Sequence, residues 1–255
     1  MPSGRPPCIY SSDPSTKEKC DNYIATLGDA IRSCGEGVAG IDFDHEGDHT
    51  ALGKAGVVSS WEANAYSSIL DRMQKSMGDG YTVSADIQAW GYESIWGGAD
   101  SFPIGYTPWV DADIFAANPN LFVNTMSYYW PSDCSISSWK RDAWVATNVW
   151  KLSKAQVNIG IGYYSQNHTA SPRRIAPVIA GEPTWHTLSE RCPSLPPDVC
   201  VCEGVNFVSK NMNAEIARFV KDEGFRGLFP WAANYDSPDP DESLAVYLGK
   251  GLSPT

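Results

Sequence analysis

The chain has 255 residues, is 42% hydrophobic and 12% aromatic, and carries a formal net charge of −11. That is enough apolar material for a sizeable core, and a single domain over 1–255 is the first expectation. The acidic balance argues against a nucleic-acid or anionic-membrane partner, and no apolar run is long enough to span a bilayer.

In chain order, residues 1–14 read as Pro-rich loop. Asp13 or Ser15 can cap a helix running to about Ser33, with Tyr23, Ile24, Leu27 and Ile31 on one face. Gly35 and Gly37 end it and lead into an acidic strand. Trp61–Met77 is a second amphipathic helix, carrying Ala65, Ile69, Leu70 and Met73, and Tyr81–Ile87 is the next strand. A Gly/Trp-rich loop follows from Gly91 to Pro108. Then come a strand at Leu121–Tyr128, a helix at Trp139–Leu152 and a strand at Val157–Tyr163. An irregular stretch runs from Tyr164 to Gly204. Asn211–Glu223 is helical, Gly227–Trp231 is a strand, and Leu244–Leu248 begins a last helix. Strands alternating with helices at this spacing imply parallel pairing and βα units.

The acidic strand carries the chemistry. In Val38-Ala39-Gly40-Ile41-Asp42-Phe43-Asp44-His45-Glu46-Gly47-Asp48, the carboxylates of Asp42, Asp44 and Glu46 stand two residues apart. On a strand they share one face, while Ile41 and Phe43 share the other. Acids packed on one face drive their pKa values apart, so one carboxyl can serve as a general acid while its neighbour stays charged. A calcium loop is the rival reading, since Gly47 falls at the sixth position of an EF-hand pattern. That pattern fails at its twelfth position, where Gly53 replaces the bidentate Glu. No metal ligand set remains.

Gly40-Ile41-Asp42-Phe43-Asp44-His45-Glu46 resembles the DGxDxDxE signature of family 18 glycoside hydrolases, the chitinase family. Ala39 departs from it, standing where the signature begins with Asp. Met126-Ser127-Tyr128 is similar to the sixth barrel strand of the family, with Tyr129 in place of the usual following Asp. Ile159-Gly160-Ile161-Gly162-Tyr163-Tyr164 resembles the seventh strand. Gly227-Leu228-Phe229-Pro230-Trp231-Ala232-Ala233-Asn234-Tyr235-Asp236 resembles the eighth.

The resemblance implies an α/β fold, a partial (β/α)8 TIM barrel comprising strands four to eight with the first three βα units missing. Three such units would need roughly 80 residues at ~30 each, and only 37 precede Val38. The expectation is an incomplete chain with open barrel edges left to pair. The resemblance also implies hydrolysis of β-1,4-N-acetylglucosaminide bonds in chitin or GlcNAc-containing oligosaccharides. Glu46, Asp44, Asp42 and Tyr128 would be catalytic, and Trp231, Met126, Tyr129 and Asp236 would bind substrate. No metal or organic cofactor is implied. Ten Trp and twelve Tyr suit stacking on sugar rings. A chitinase-like binding protein that has lost turnover is the alternative, and an endoglycosidase acting on N-glycan cores shares the acid motif.

Seven cysteines are present: Cys8, Cys20, Cys34, Cys134, Cys192, Cys200 and Cys202. Cys192-x7-Cys200-x-Cys202 lacks zinc-knuckle spacing, so disulfides with one thiol left over are expected. With the sequon Asn167-His168-Thr169, this points to a secreted or endomembrane/lysosomal protein lacking its leader, since Met1–Pro7 has no apolar segment. The stretch 164–210 reads as a Cys/Pro-rich irregular insertion that makes the groove shallow.

Overall fold

Five parallel strands form one sheet, in the order β1-β2-β3-β4-β7. The computed structural model describes residues 14–44, 60–87, 110–128, 134–163, 184–203 and 205–253. The chain runs α1 (Pro14–Ser33), β1 (Gly40–Phe43), α2 (Ser60–Met77), β2 (Thr82–Ile87), α3 (Ala112–Ala117) and β3 (Leu121–Thr125). It continues through α4 (Ser137–Trp144), β4 (Val157–Gly162), α5 (Trp185–Arg191), β5 (Val201–Cys202), β6 (Val205–Asn206), α6 (Lys210–Glu223), β7 (Gly227–Trp231) and α7 (Leu244–Leu252). Sheet and helices together make up part of a (β/α)8 barrel, with β1 and β7 at its edges among the described residues.

Alternation within the strands decides which face meets the helices. Val83, Ala85, Ile87, Leu121, Val123, Val157, Ile159 and Ile161 are buried in one apolar core with Leu70, Met73, Trp139 and Ile216 from the helices. The residues between them point to the barrel interior, and four of these are polar: Ser84, Asp86, Asn124 and Asn158. Apolar burial therefore fixes the register, and the register presents the polar row to the concave side.

Helix α1 lies on α2, and its buried residues are Cys20, Ile24 and Ile31, with Leu27 partly covered. Tyr23, expected on that face, is 42% exposed. The stripe runs 20, 24, 27, 31, and Cys20 takes the place assigned to Tyr23 because helical spacing puts it in line with Ile24. Gly35 and Gly37 turn the chain into β1 with φ of 90° and 104°, a region other residues enter at a cost.

Three further expectations are corrected. The strand begun at Leu121 ends at Thr125 instead of Tyr128. Met126 N still donates to Ile87 O, on the last residue of β2, at 2.9 Å. The helix expected over Trp139–Leu152 starts at Ser137 and widens after Trp144 into a π turn, Val145–Val149. There Thr147 Oγ1 donates to Ala143 O at 2.9 Å and Asn148 Nδ2 to Trp144 O at 3.0 Å, competing for helix carbonyls. The stretch read as irregular from Tyr164 contains α5 and the antiparallel pair β5–β6. Thr184 caps α5, and its Trp185 is buried with Nε1 donating to Glu242 O at 2.6 Å.

Disulfides Cys134–Cys200 and Cys192–Cys202 fasten this region to the end of the β3–α4 connection, while Cys34 is a free thiol. Cys20 is also disulfide-bonded. Such bonds fit an oxidising compartment. Among the described residues no helix is long and apolar enough to cross a membrane.

Candidate active site

Asp42 sits on the interior face of β1, opposite Ser84 in the parallel register. Ile41 and Phe43 face the core, as the alternation predicts. Ser84 Oγ donates to Asp42 Oδ1, and Asn124 Nδ2 donates to the same oxygen at 2.9 Å. Asn158 Nδ2 then donates to Asn124 Oδ1 at 2.9 Å. Four adjacent strands thus supply one polar chain, Asp42–Ser84/Asn124–Asn158, each link stabilising the anionic form of Asp42 or orienting the group that does. Gly227, paired with Asn158 on β7, leaves room for it, because a Cβ there would come within 3.2 Å of Asn158 Oδ1.

Asp44 follows β1 at its C-terminal end, where ligand sites of parallel barrels lie. Its pKa is raised, first by burial and then by the charge of Asp42. On the neighbouring strand Asp86 is 8% exposed, and burial pushes its carboxyl up to about 8, helped by the charges of Asp42 and Asp44 and opposed by a hydrogen bond from Asn124. Tyr66 reaches the same acids from α2. Burial, then Asp42, Asp86 and Asp44, pushes its phenol far above the usual range. Among the described residues, no group of His, Cys, Asp and Glu converges as metal ligands would.

The second half of the site is aromatic. Tyr128, three residues beyond β3, stacks with Trp231 at 6.4 Å between centroids and 27° between planes. It meets Phe229 edge-on at 6.0 Å. Trp231 ends β7 and is 44% exposed. A non-proline cis peptide joins it to Ala232. Gly160 makes this cluster fit: a Cβ there would lie 2.3 Å from Thr125 O and 2.9 Å from the Phe229 ring. Met126 is buried, and Ser127 Oγ donates to the buried Asp142 at 2.5 Å, holding the end of β3 to α4.

Asp236 is engaged with the protein itself. Its Oδ1 accepts from Ser237 N at 2.9 Å and Leu244 N at 2.7 Å, and its Oδ2 accepts from Ser243 Oγ at 2.7 Å and Ala245 N at 3.0 Å. A carboxylate against the positive end of α7 is favourable, and it ties the segment after Trp231 to that helix. Tyr163 is buried nearby, its phenol pushed up by burial and then by Asp236.

The structure therefore brings Asp42 and Asp44 together at the end of β1, and Tyr128 and Trp231 together across the ends of β3 and β7, with Met126 buried just after β3. Glu46 and Tyr129 lie outside the described residues. Sequence reasoning passed over Ser84, Asp86, Asn124, Asn158 and Tyr66. The signal for the first four was present: each is a polar residue flanked by buried residues within a strand, apolar on both sides for Ser84, Asp86 and Asn158. Tyr66 looks like any aromatic on an amphipathic helix.

No protein-family model and no curated protein sequence matches the chain. Solved structures do share its fold. A chitinase from Rhizomucor miehei matches 96% of this chain and 80% of its own, with TM-score 0.64 and 13% identity. The family 18 chitinase ChiB from the chitin utilization locus of Flavobacterium johnsoniae matches 96% of this chain and 67% of its own, with TM-score 0.60 and 14% identity. A mutant of the Group II chitinase catalytic domain 2 of Ostrinia furnacalis, solved in complex with penta-N-acetylchitooctaose, matches 94% and 72%, with TM-score 0.60 and 14% identity. The likeness is one of fold: this half-barrel arrangement of strands and helices is the one found in those chitinases.

Proposed function

We propose that the protein hydrolyses β-1,4-N-acetylglucosaminide bonds in chitin or chitooligosaccharides. The observation that carries this reading is the pairing, at the C-terminal ends of strands in one sheet, of a supported carboxylate pair with a half-exposed indole. Asp42 and Asp44 lie at the end of β1, and Trp231, stacked on Tyr128, lies at the end of β7. Glycosidases need a charge-partitioned acid set and a flat apolar floor for a sugar ring.

In the mechanism, Glu46, two residues beyond Asp44, protonates the glycosidic oxygen. The substrate's own acetamido oxygen attacks the anomeric carbon, the bond to the leaving sugar breaks, and configuration is retained when water opens the resulting oxazolinium. This is one of the substrate-assisted exceptions to the two-carboxylate scheme. Asp44, its pKa raised by burial and by Asp42, orients the acetamido N–H, with Tyr128 beside it. Asp42 remains the anion beneath, and Trp231 stacks under the sugar. Met126 and Tyr129 take part in binding the substrate, and Asp236 fixes the segment carrying Trp231. No step calls for a metal or an organic cofactor. The disulfides suit a secreted or lysosomal setting.

The test is turnover of a fluorogenic chitobioside by the wild type and by Glu46→Gln. Turnover that Glu46→Gln abolishes supports the reading. Chitooligosaccharide binding without turnover would make the protein a carbohydrate-binding relative, and loss of both overturns it.

A further inference from the structure

Asp86 has no assigned part in the chemistry above, yet it lies in direct contact with the acids that do. It stands on the interior face of β2, opposite Asn124 in the register and two residues beyond the Asp42 partner Ser84. Its carboxyl lies within hydrogen-bond reach of the Asp42 carboxyl. Its Oδ1 is buried and has no hydrogen-bond partner among the described residues. Two carboxyl groups in hydrogen-bond contact cannot both be ionised without strong repulsion, so one of them carries a proton. The donor sets decide which one. Asp42 Oδ1 accepts from Ser84 Oγ and Asn124 Nδ2, both of which favour its anion. Asp86 is the more deeply buried of the two and has a bare oxygen.

We propose that Asp86 is a positioning residue for the acid pair, holding a proton that it donates in a hydrogen bond to Asp42 and so keeping Asp42 anionic beneath Asp44. Among the described residues, the groups facing it are Asp42 and Asp44 from β1, Asn124 from β3 and Tyr66 from α2. Asn124 does not titrate, and the Tyr66 phenol stays neutral over the working range because burial and the same acids push it upward. Loss of the Asp86 proton would place three negative charges on adjacent strands. The carboxyl value of about 8 puts that loss just above neutrality. Its effect on turnover rests on the glycosidase reading; the location of the proton does not.

Two measurements separate these. In protein labelled with 13C at the aspartate carboxyl carbons, one resonance is expected to titrate above pH 7 and to vanish in Asp86→Asn. If every aspartate in the wild type titrates below pH 5, the proposal is overturned, whatever the activity. In chitobioside kinetics, Asp86→Asn keeps a neutral donor without a titration, so the alkaline limb of kcat moves to higher pH. Asp86→Leu removes the donor, and kcat falls roughly tenfold or more, in line with loss of a hydrogen bond to a charged group, with KM little changed. Superimposable pH profiles for wild type, Asp86→Asn and Asp86→Leu would overturn the positioning role. If Asp86→Leu does not fold, Asp86→Asn alone decides, through its resonance and its alkaline limb. If the wild type turns nothing over, the glycosidase reading fails and the carboxyl titration still places the proton.

Discussion

Asn124 donates its side-chain amide to Asp42 at 2.9 Å across 82 residues of sequence. It is itself oriented by Asn158, which donates to its carbonyl oxygen at 2.9 Å. The acid on β1 is thus held by side chains two and three strands away, and its orientation depends on the whole sheet keeping register.

Replacing Asn124 with Leu keeps the volume and removes both bonds. Asp42 loses a donor and Asn158 loses its acceptor, which should cost about 1–3 kcal/mol of stability. Urea unfolding would show this as a lower midpoint with an unchanged slope. A wild-type midpoint would mean that solvent replaces both partners.

The pH dependence of stability has a definite sign. Asp86 ionises near its ordinary value of 3.8 when unfolded and near 8 when folded. Between those values the native state binds the extra proton, so stability falls as pH rises through the window. Asp44, also raised, acts in the same direction. The melting temperature should drop from pH 4.5 to pH 8, and Asp86→Asn should flatten that slope. Equal slopes in the two proteins would place the titration elsewhere.

Gly160 admits no side chain. Its Cβ would lie 2.3 Å from Thr125 O and 2.9 Å from Phe229. Gly160→Ala should destabilise by about 3 kcal/mol through overpacking and displace the ring against which Tyr128 rests. Thermal unfolding tests the first effect and near-ultraviolet circular dichroism the second. A variant with the wild-type spectrum and melting point would show that β4 and β7 can part.

Asp236 caps α7 from outside the helix. Asp236→Ala removes the acceptor for Ser243 Oγ, Leu244 N and Ala245 N and should cost about 1–2 kcal/mol, as lost caps do. Hydrogen exchange should quicken at Leu244 and Ala245 and stay slow in β3. Uniform quickening would point to global destabilisation instead.

Much of this was legible in the residues. The strands announced themselves through runs such as Val157–Gly162, and the acids through two-residue spacing, because burial and alternation are local in sequence. The Tyr128–Trp231 stack was reachable only through motif resemblance, since 103 positions separate the two residues in the numbering. Tyr23 and Cys20 show a finer limit. Both suit an amphipathic stripe, and only the seating of α1 on α2 chooses between them. Asp86 was hidden for another reason: an acid inside an apolar strand looks like a solvent-facing residue until the opposite face proves to be the covered one.

The bond Cys134–Cys200 spans 66 positions and joins the chain before α4 to the hairpin ahead of α6. A backbone cut anywhere between those two cysteines therefore liberates nothing. The nicked protein would migrate as one band without reductant and as two fragments with it, so a preparation judged intact on a non-reducing gel alone could already be in two pieces.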